Sequence, residues 1–330
     1  MASADQIKAL LNSYIEKDDD RFTSIAYQVA AHEARKGHGK LAQDIKKIIE
    51  KAQSGHLLGA KDKLKKSIIS TSCGDISELL DLLSFSTPKI KLTDMALSNK
   101  VQSKLSRIIH EQQNVEKLIS HGLFPRQKLL LTGFPGTGKT MTAKAMAGEL
   151  NLPLYSVRLD GLISKYMGET ITKLKLIFDS IQVNRAVYLF DEFDSIGSKR
   201  LAGNDVGEIK RVLNSFLMLI EEVKTSSLII AATNHGELLD KALFRRFDDM
   251  ISFDLPSKQE IKTLLKNKLN CYLKKDSDLS KIIKATDGLS HSELTNACDD
   301  AIKNMILSDK KVILEKEIIE VVSERHSKST

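Results

Sequence analysis

The 330 residues include 42% hydrophobic and 28% charged side chains, enough to bury a proper core, and the length suggests about two or three domains of a globular protein. No apolar run approaches the roughly 18 residues of a bilayer span, and Met1 to Leu11 is an amphipathic pattern unlike a secretion signal, so a cytoplasmic protein without a membrane partner is expected. The net charge of +7 and pI near 9.0 leave nucleic acid open as a partner, but most lysines are interleaved with acids as on a solvated surface, and only Lys61 to Lys66 and Lys258 to Lys284 are denser.

From Met1 to about Ser86 the apolar residues recur at helical spacing, as in Ile7, Leu10, Leu11, Tyr14 and Ile15, then Ile25, Ala26, Val29 and Ala30, then Leu41, Ile45, Ile48 and Ile49. Asp18-Asp19-Asp20 and Lys36-Gly37-His38-Gly39-Lys40 interrupt that pattern. A small all-helical N-terminal domain over residues 1–88 is predicted, closed by a Thr87-Pro88 linker because the residue before proline is biased away from helix. His32 and His38 lack companions at metal spacing and read as surface or capping residues. Cys73, Cys271 and Cys298 are odd in number, widely spaced and free of any CxxC pairing, which predicts idle thiols in a reducing compartment.

From about Lys89 the pattern changes to short apolar runs alternating with helices: Lys128 to Leu131, Leu154 to Leu159, Ala186 to Phe190, Leu228 to Ala232 and Met250 to Phe253. That alternation predicts an α/β domain over 89–255, a parallel sheet covered by helices on both faces. The first run leads into Gly133-Phe134-Pro135-Gly136-Thr137-Gly138-Lys139-Thr140, the phosphate-binding G-x-x-x-x-G-K-T loop, followed by a helix from Met141. Backbone N–H groups of such a loop, with the positive end of the next helix, cradle a polyphosphate. Pro135, Gly136, Thr137, Gly138, Lys139, Thr140 and Met141 are therefore the candidate nucleotide contacts, with Lys139 toward the β- and γ-phosphates and Thr140 toward Mg²⁺.

Val187-Tyr188-Leu189-Phe190 delivers Asp191-Glu192 at a strand end beside that loop. Asp191 is placed to share the Mg²⁺ shell with Thr140, and Glu192 to orient and deprotonate an attacking water. Leu228 to Thr233 ends in Asn234, an amide that either meets the γ-phosphate or lytic water, or only starts the turn into His235-Gly236. Arg245 and Arg246 precede the fifth strand and serve either surface salt bridges or a neighbouring subunit's γ-phosphate. After Leu255-Pro256 only helical periods remain, which predicts a helical C-terminal lid over 256–330.

Taken together, the phosphate loop, Asp191-Glu192, Ala231-Ala232-Thr233-Asn234 and Arg245-Arg246-Phe247-Asp248 resemble the AAA family of ring-forming ATPases, in order and spacing, from about Leu92 to Leu307. The resemblance implies an AAA+ core with ATP and Mg²⁺ as cofactors, Asn234 as γ-phosphate sensor, Arg245 and Arg246 as trans-acting arginine fingers, and a homo-oligomer, usually a hexamer. It also makes Asp287-Gly288-Leu289-Ser290 the lid motif, with Gly288 beside the nucleotide. Ser164-Lys165-Tyr166-Met167-Gly168-Glu169 resembles the central pore loop of protein-remodelling members, so Lys165, Tyr166 and Met167 are expected to grip a threaded polypeptide. Lys199 to Gly207 would be a second, polar pore loop.

The helical prefix, with Ala31 to His38, and Leu123-Phe124-Pro125-Arg126 are similar to short bacterial AAA ATPases often encoded beside a subtilisin-like serine protease and linked to phage defence. The core also resembles ESCRT-disassembly and microtubule-severing ATPases. Four features depart from the family pattern. Glu221-Glu222-Val223 replaces Asp-Gly-Phe, the two arginines lack a spacer, His291-Ser292 replaces Gly-Ala, and no glycine follows Leu92-Thr93-Asp94-Met95. No HExxH helix is present, so proteolysis would need a partner. The leading expectation is an ATP-driven protein remodeller; a nucleic-acid-dependent ATPase and a nucleotide-gated assembly switch are the alternatives.

Overall fold

The computed structural model describes residues 29, 43, 76–162, 167–194, 206–236, 244–269, 272–273 and 279–329. The chain divides into two compact units, Met1–Ser70 and Thr71–Thr330. In the first, Val29 is helical and buried and Gln43 is helical and exposed. The rest of the expected N-terminal helical pattern before Ile76 lies outside the described residues, as do His32, His38 and the Lys61 to Lys66 run.

The second unit is built on a six-stranded sheet in the order β1, β3, β4, β5, β2, β6. Its strands are β1 (Leu83–Ser86), β2 (Lys128–Gly133), β3 (Leu154–Val157), β4 (Val187–Phe190), β5 (Leu228–Thr233) and β6 (Asp249–Phe253). The five expected strands all appear and run parallel, whereas β1 pairs antiparallel with β3 at the edge. Leu83–Ser86 thus belongs to the sheet, although it precedes Thr87-Pro88 in the chain. The second expected run stops at Val157, because Leu159 already opens a short helical turn.

The chemistry of each strand follows its place. Every residue of β4 and β5 is buried, as continuous apolar runs require when helices cover both faces. At the β6 edge Met250 and Ser252 are exposed while Ile251 and Phe253 are buried. After α1 (Ile76–Leu82), which leads into β1 and packs with the helices that follow β3, one face of the sheet takes α2 (Asn99–Gln113) and α4 (Lys139–Leu150), with α3 (Val115–Ile119) following α2. Val101, Leu105, Ile108 and Ile109 form the buried stripe of α2 and share a core with Leu129, Leu131, Leu189 and Ile230 of the sheet. After α5 (Leu159–Leu162), the helices α6 (Met167–Val183) and α7 (Val206–Glu222) bring Phe178 and Phe216 against Phe190 of β4, with ring centroids 5.2 to 5.9 Å apart.

Beyond β6 the described chain is helical: α8 (Lys258–Leu269), α9 (Leu279–Ala285), α10 (His291–Leu307) and α11 (Glu315–Ser329). They enclose a second buried cluster that includes Ile261, Leu265, Ile282, Leu294, Ala297 and Ile318. Cys298 lies inside it, and burial pushes its thiol up to about 12, so it stays an unreactive thiol at neutral pH. Cys73 and Cys271 lie outside the described residues.

Candidate functional site

The phosphate loop leaves the C-terminal end of β2, flanked by β5 and β6, where open parallel sheets hold their ligands. Gly138 caps α4 in the left-handed region, at φ +99°, a geometry that glycine adopts at little cost. Gly136 also has positive φ, +75°, and a Cβ there would come within 2.7 Å of Ser290 Oγ. The loop is therefore closed over by the start of α10. Ser290 caps that helix with a reciprocal box to Glu293, and the Ser292 N–H donates to the Gly136 carbonyl at 2.9 Å.

Lys139, the first residue of α4, is buried, and its ammonium donates to the carbonyls of Gly133 at 2.7 Å and Phe134 at 2.8 Å. Burial lowers its pKa, while the carboxylates of Asp191 and Asp194 pull it back up. A cation held by carbonyl oxygens in a half-closed cradle suits a phosphate, which offers it full negative charge in exchange. The Thr140 hydroxyl donates to Asp191 Oδ2 at 2.7 Å, so the two oxygen groups expected to face Mg²⁺ stand side by side. Among the described residues no group of three or more His, Cys, Asp or Glu could hold a metal. One carboxylate, one hydroxyl and the phosphates themselves are the donor set that Mg²⁺ takes in nucleotide sites.

Glu192 follows Asp191 in an unusual backbone state, φ +49°, and is one of the few non-glycine residues described there. Its neighbours impose it. Phe190 and Phe193 both pack on Phe216, the latter with centroids 4.6 Å apart, and the Phe193 N–H donates to the Ala232 carbonyl at 2.8 Å. Residues on either side are thus anchored, and the chain between them turns tightly enough to push the Glu192 side chain out to solvent. Asp194, which sequence reasoning missed, accepts from Thr233 Oγ1 at 3.0 Å and from the Asn234 N–H at 3.3 Å, tying the β4 and β5 ends together. Only its position two residues after Glu192 hinted at this.

A cavity of about 480 Å³ opens beside the loop, within the usual size range of small-molecule sites. Thr137, Gly138 and Met141 form its loop side, Met95, Ala96 and Leu97 one wall, and Leu264, His291 and Thr295 the wall contributed by α8 and α10. Met95 closes the Leu92 to Met95 segment that departs from the family pattern; Leu264 and Thr295 carry no local sign in the sequence. Gly288 does not line this cavity. It has φ +85°, and a Cβ added there would meet only open space, so it is a turn glycine that lets Ser290 to Ser292 approach the loop.

The structure does not bring Arg245 and Arg246 to the loop of their own chain. They precede β6, whose Asp249 pairs with Leu129 and whose Phe253 pairs with Gly133, so they stand at the opposite end of the sheet. Arg245 is exposed, and Arg246 is paired with Glu221 at the end of α7. Lys165 and Tyr166 lie outside the described residues, as does most of Lys199 to Gly207, and Met167 opens α6. No helix among the described residues is long and apolar enough to cross a membrane.

Comparison with known proteins adds the lineage. The family described as ATPase family associated with various cellular activities (AAA) matches residues 129–255. An uncharacterized AAA family ATPase, y4kL, of Sinorhizobium fredii is 33% identical over 317 residues, 96% of this chain and 93% of that protein. The ATP-dependent zinc metalloproteases FtsH of Mycoplasmopsis synoviae and FtsH 2 of Salinibacter ruber are 34% and 35% identical over 68% and 63% of this chain. The chain spans only 35% and 32% of their lengths. A likeness to y4kL that runs through nearly all of both proteins, on a sheet that carries the phosphate loop at its switch point, makes the chain a member of the AAA family, an ATPase that hydrolyses ATP.

Proposed function

We propose that this ATPase acts as a ring-shaped homo-oligomer, a hexamer, which uses ATP hydrolysis to remodel, unfold or thread a protein substrate. The observation that carries this reading is the likeness of the chain to proteins whose names join ATP dependence to proteolysis. Its own residues divide the work as follows. Lys139 and the N-terminus of α4 bind the phosphates, and Thr140 and Asp191 hold Mg²⁺, which neutralises charge on the phosphoryl oxygens when bound. Glu192 takes the proton from the attacking water, and Asn234 holds that water or the γ-phosphate from the β5 side. Arg245 or Arg246 enters the neighbouring subunit's site, where a guanidinium meets the charge that builds on the transferring group.

In the same proposal the part of residues 1–88 that precedes β1 selects the substrate, residues 89–255 together with β1 hydrolyse ATP and residues 256–330 form the lid. Lys165, Tyr166 and Met167 grip the polypeptide, and a separate subtilisin-like serine protease degrades it in a phage-defence setting. Glu192→Gln is expected to lose about 10²- to 10⁴-fold in turnover while still binding ATP. Purified with ATP, it should retain both the oligomer and the engaged protein. Size-exclusion chromatography with light scattering, followed by identification of co-purifying proteins, reads this directly. A monomer at saturating ATP would overturn the ring, and turnover stimulated by DNA with salt-sensitive affinity would favour a nucleic-acid substrate instead. Tyr166→Ala is expected to keep ATPase activity and lose work on the trapped substrate, measured as loss of that protein's folded signal.

A further inference from the structure

We propose that Asp194 is a positioning residue for hydrolysis, which sets Asn234 against the same water that Glu192 activates. The inference rests on the reading of Glu192 as base and of Asn234 as its partner from the β5 side. Its origin is the way the chain leaves β4. Phe190 ends the strand, Asp191 and Glu192 make the turn, and Phe193 is fully buried again, so the chain is drawn along the end of β5. Three contacts follow in succession. The Phe193 N–H donates to the Ala232 carbonyl at 2.8 Å, the Thr233 hydroxyl donates to Asp194 Oδ1 at 3.0 Å, and the Asn234 N–H donates to the same oxygen at 3.3 Å.

Asp194 Oδ1 thus takes one donor from the last residue of β5 and one from the residue after it. Thr233 is fully buried, so its hydroxyl must find an acceptor within the protein, and its oxygen in turn accepts from the His235 N–H at 3.0 Å. The backbone from Thr233 to His235 is therefore wrapped round one carboxylate, which fixes the direction in which the Asn234 side chain leaves it. Gly236 closes the turn against β2, where an added Cβ would come within 3.1 Å of Thr132 Cγ2. The turn is gripped from two sides, by the segment that carries Glu192 and by the strand that leads into the phosphate loop.

A charged acceptor suits this place, because bonds to an ionised oxygen are about twice as strong as neutral ones and two donors converge on it. Glu192 and Asn234 are spaced by the same set of bonds, and a shift of about 1 Å in either costs on the order of 10²-fold in rate. A competing role for the carboxylate would act through Lys139. Burial lowers the pKa of that lysine and the carboxylates of Asp191 and Asp194 oppose the fall, so Asp194 is within electrostatic range of the phosphate cradle. The two roles differ in what they do to a nucleotide that lacks the γ-phosphate.

Steady-state ATP hydrolysis by Asp194→Ala, Asp194→Asn, Asn234→Ala and the two combinations, with MgADP affinity measured by calorimetry, tests this. Asp194→Ala is expected to lower kcat about 10²-fold, while KM for ATP and the affinity for MgADP stay within about threefold of the parent. Asp194→Asn keeps an acceptor oxygen without the charge and should recover about tenfold of that loss. In the Asn234→Ala background neither substitution is expected to lower kcat by more than about twofold, because the group they position is gone. Parental kcat in either Asp194 variant, or losses that multiply with that of Asn234→Ala, would overturn the proposal. So would a fall in MgADP affinity as large as the fall in kcat, which would put the role of Asp194 at Lys139. Should Asp194→Ala fail to fold, the Asp194→Asn arm decides among the same outcomes. Parental turnover in Asn234→Ala would overturn the assignment of Asn234 itself and this proposal with it, a result distinct from the others.

Discussion

At Glu192 a side chain meant to meet water is carried on a left-handed backbone, a conformation that costs a non-glycine residue on the order of 1–3 kcal/mol. The anchoring of Phe193 holds it there, so the strain falls on the residue proposed as the base. His291 offers a second measurement at this scale. Burial keeps its imidazole below the ordinary value of 6.5, while the Glu260 carboxylate and the Ala96 backbone pull the other way. The unfolded chain therefore takes up this proton first as the solution becomes acidic. Its contribution to stability is full above the ordinary value and is lost as pH falls toward the depressed folded one. Between about pH 7 and about pH 5 the thermal midpoint of the parent is expected to drop more steeply than that of His291→Gln. Parallel slopes would show that some other group governs acid stability.

Among the elements, α7 has a role larger than its place in the chain suggests. Phe216 is fully buried and meets Phe178, Phe190 and Phe193, joining α6, β4 and the Asp191-Glu192 turn. Phe216→Ala is expected to cost about 3–5 kcal/mol in urea unfolding and, by loosening Phe193, to lower turnover more than ATP affinity. The phosphate loop is legible in the amino-acid order because Gly133 to Thr140 is contiguous and each residue type has a local reason. The parallel α/β core is legible for the same cause, since β4 and β5 are unbroken apolar runs. Leu83–Ser86 escapes because four residues directly after a helix carry no period of their own, and their pairing partner lies far along the chain, with Ser84 donating to the Ser156 carbonyl 72 residues on. Asp194, Leu264 and Thr295 are hidden likewise: their contacts join segments that only the folded chain brings together.

For the whole molecule the decisive distance is the length of the sheet. Leu129 and Gly133 are four strand steps apart, roughly 13 Å, and Arg245 stands beyond the first of them while the phosphate loop begins at the second. Within one chain that gap is too wide for a guanidinium, which supports a site completed by a neighbour. The pairing of Arg246 with Glu221 leaves Arg245 as the more available of the two. Lys139→Ala and Arg245→Ala are each expected to abolish turnover alone. Mixing the two inactive proteins should restore a measurable fraction, because some interfaces then receive an intact loop from one subunit and an intact arginine from the next; no recovery in a mixed oligomer would place the arginine's role within its own chain. The Gly136 carbonyl that accepts from Ser292 adds a mechanical consequence. Two hydrophobic bodies, one around the sheet and one around α8 to α11, are sutured at the very peptide that must readjust when a phosphate arrives or departs. A change of that peptide on phosphate binding is expected to reach the C-terminal helices through Ser292 at the start of α10.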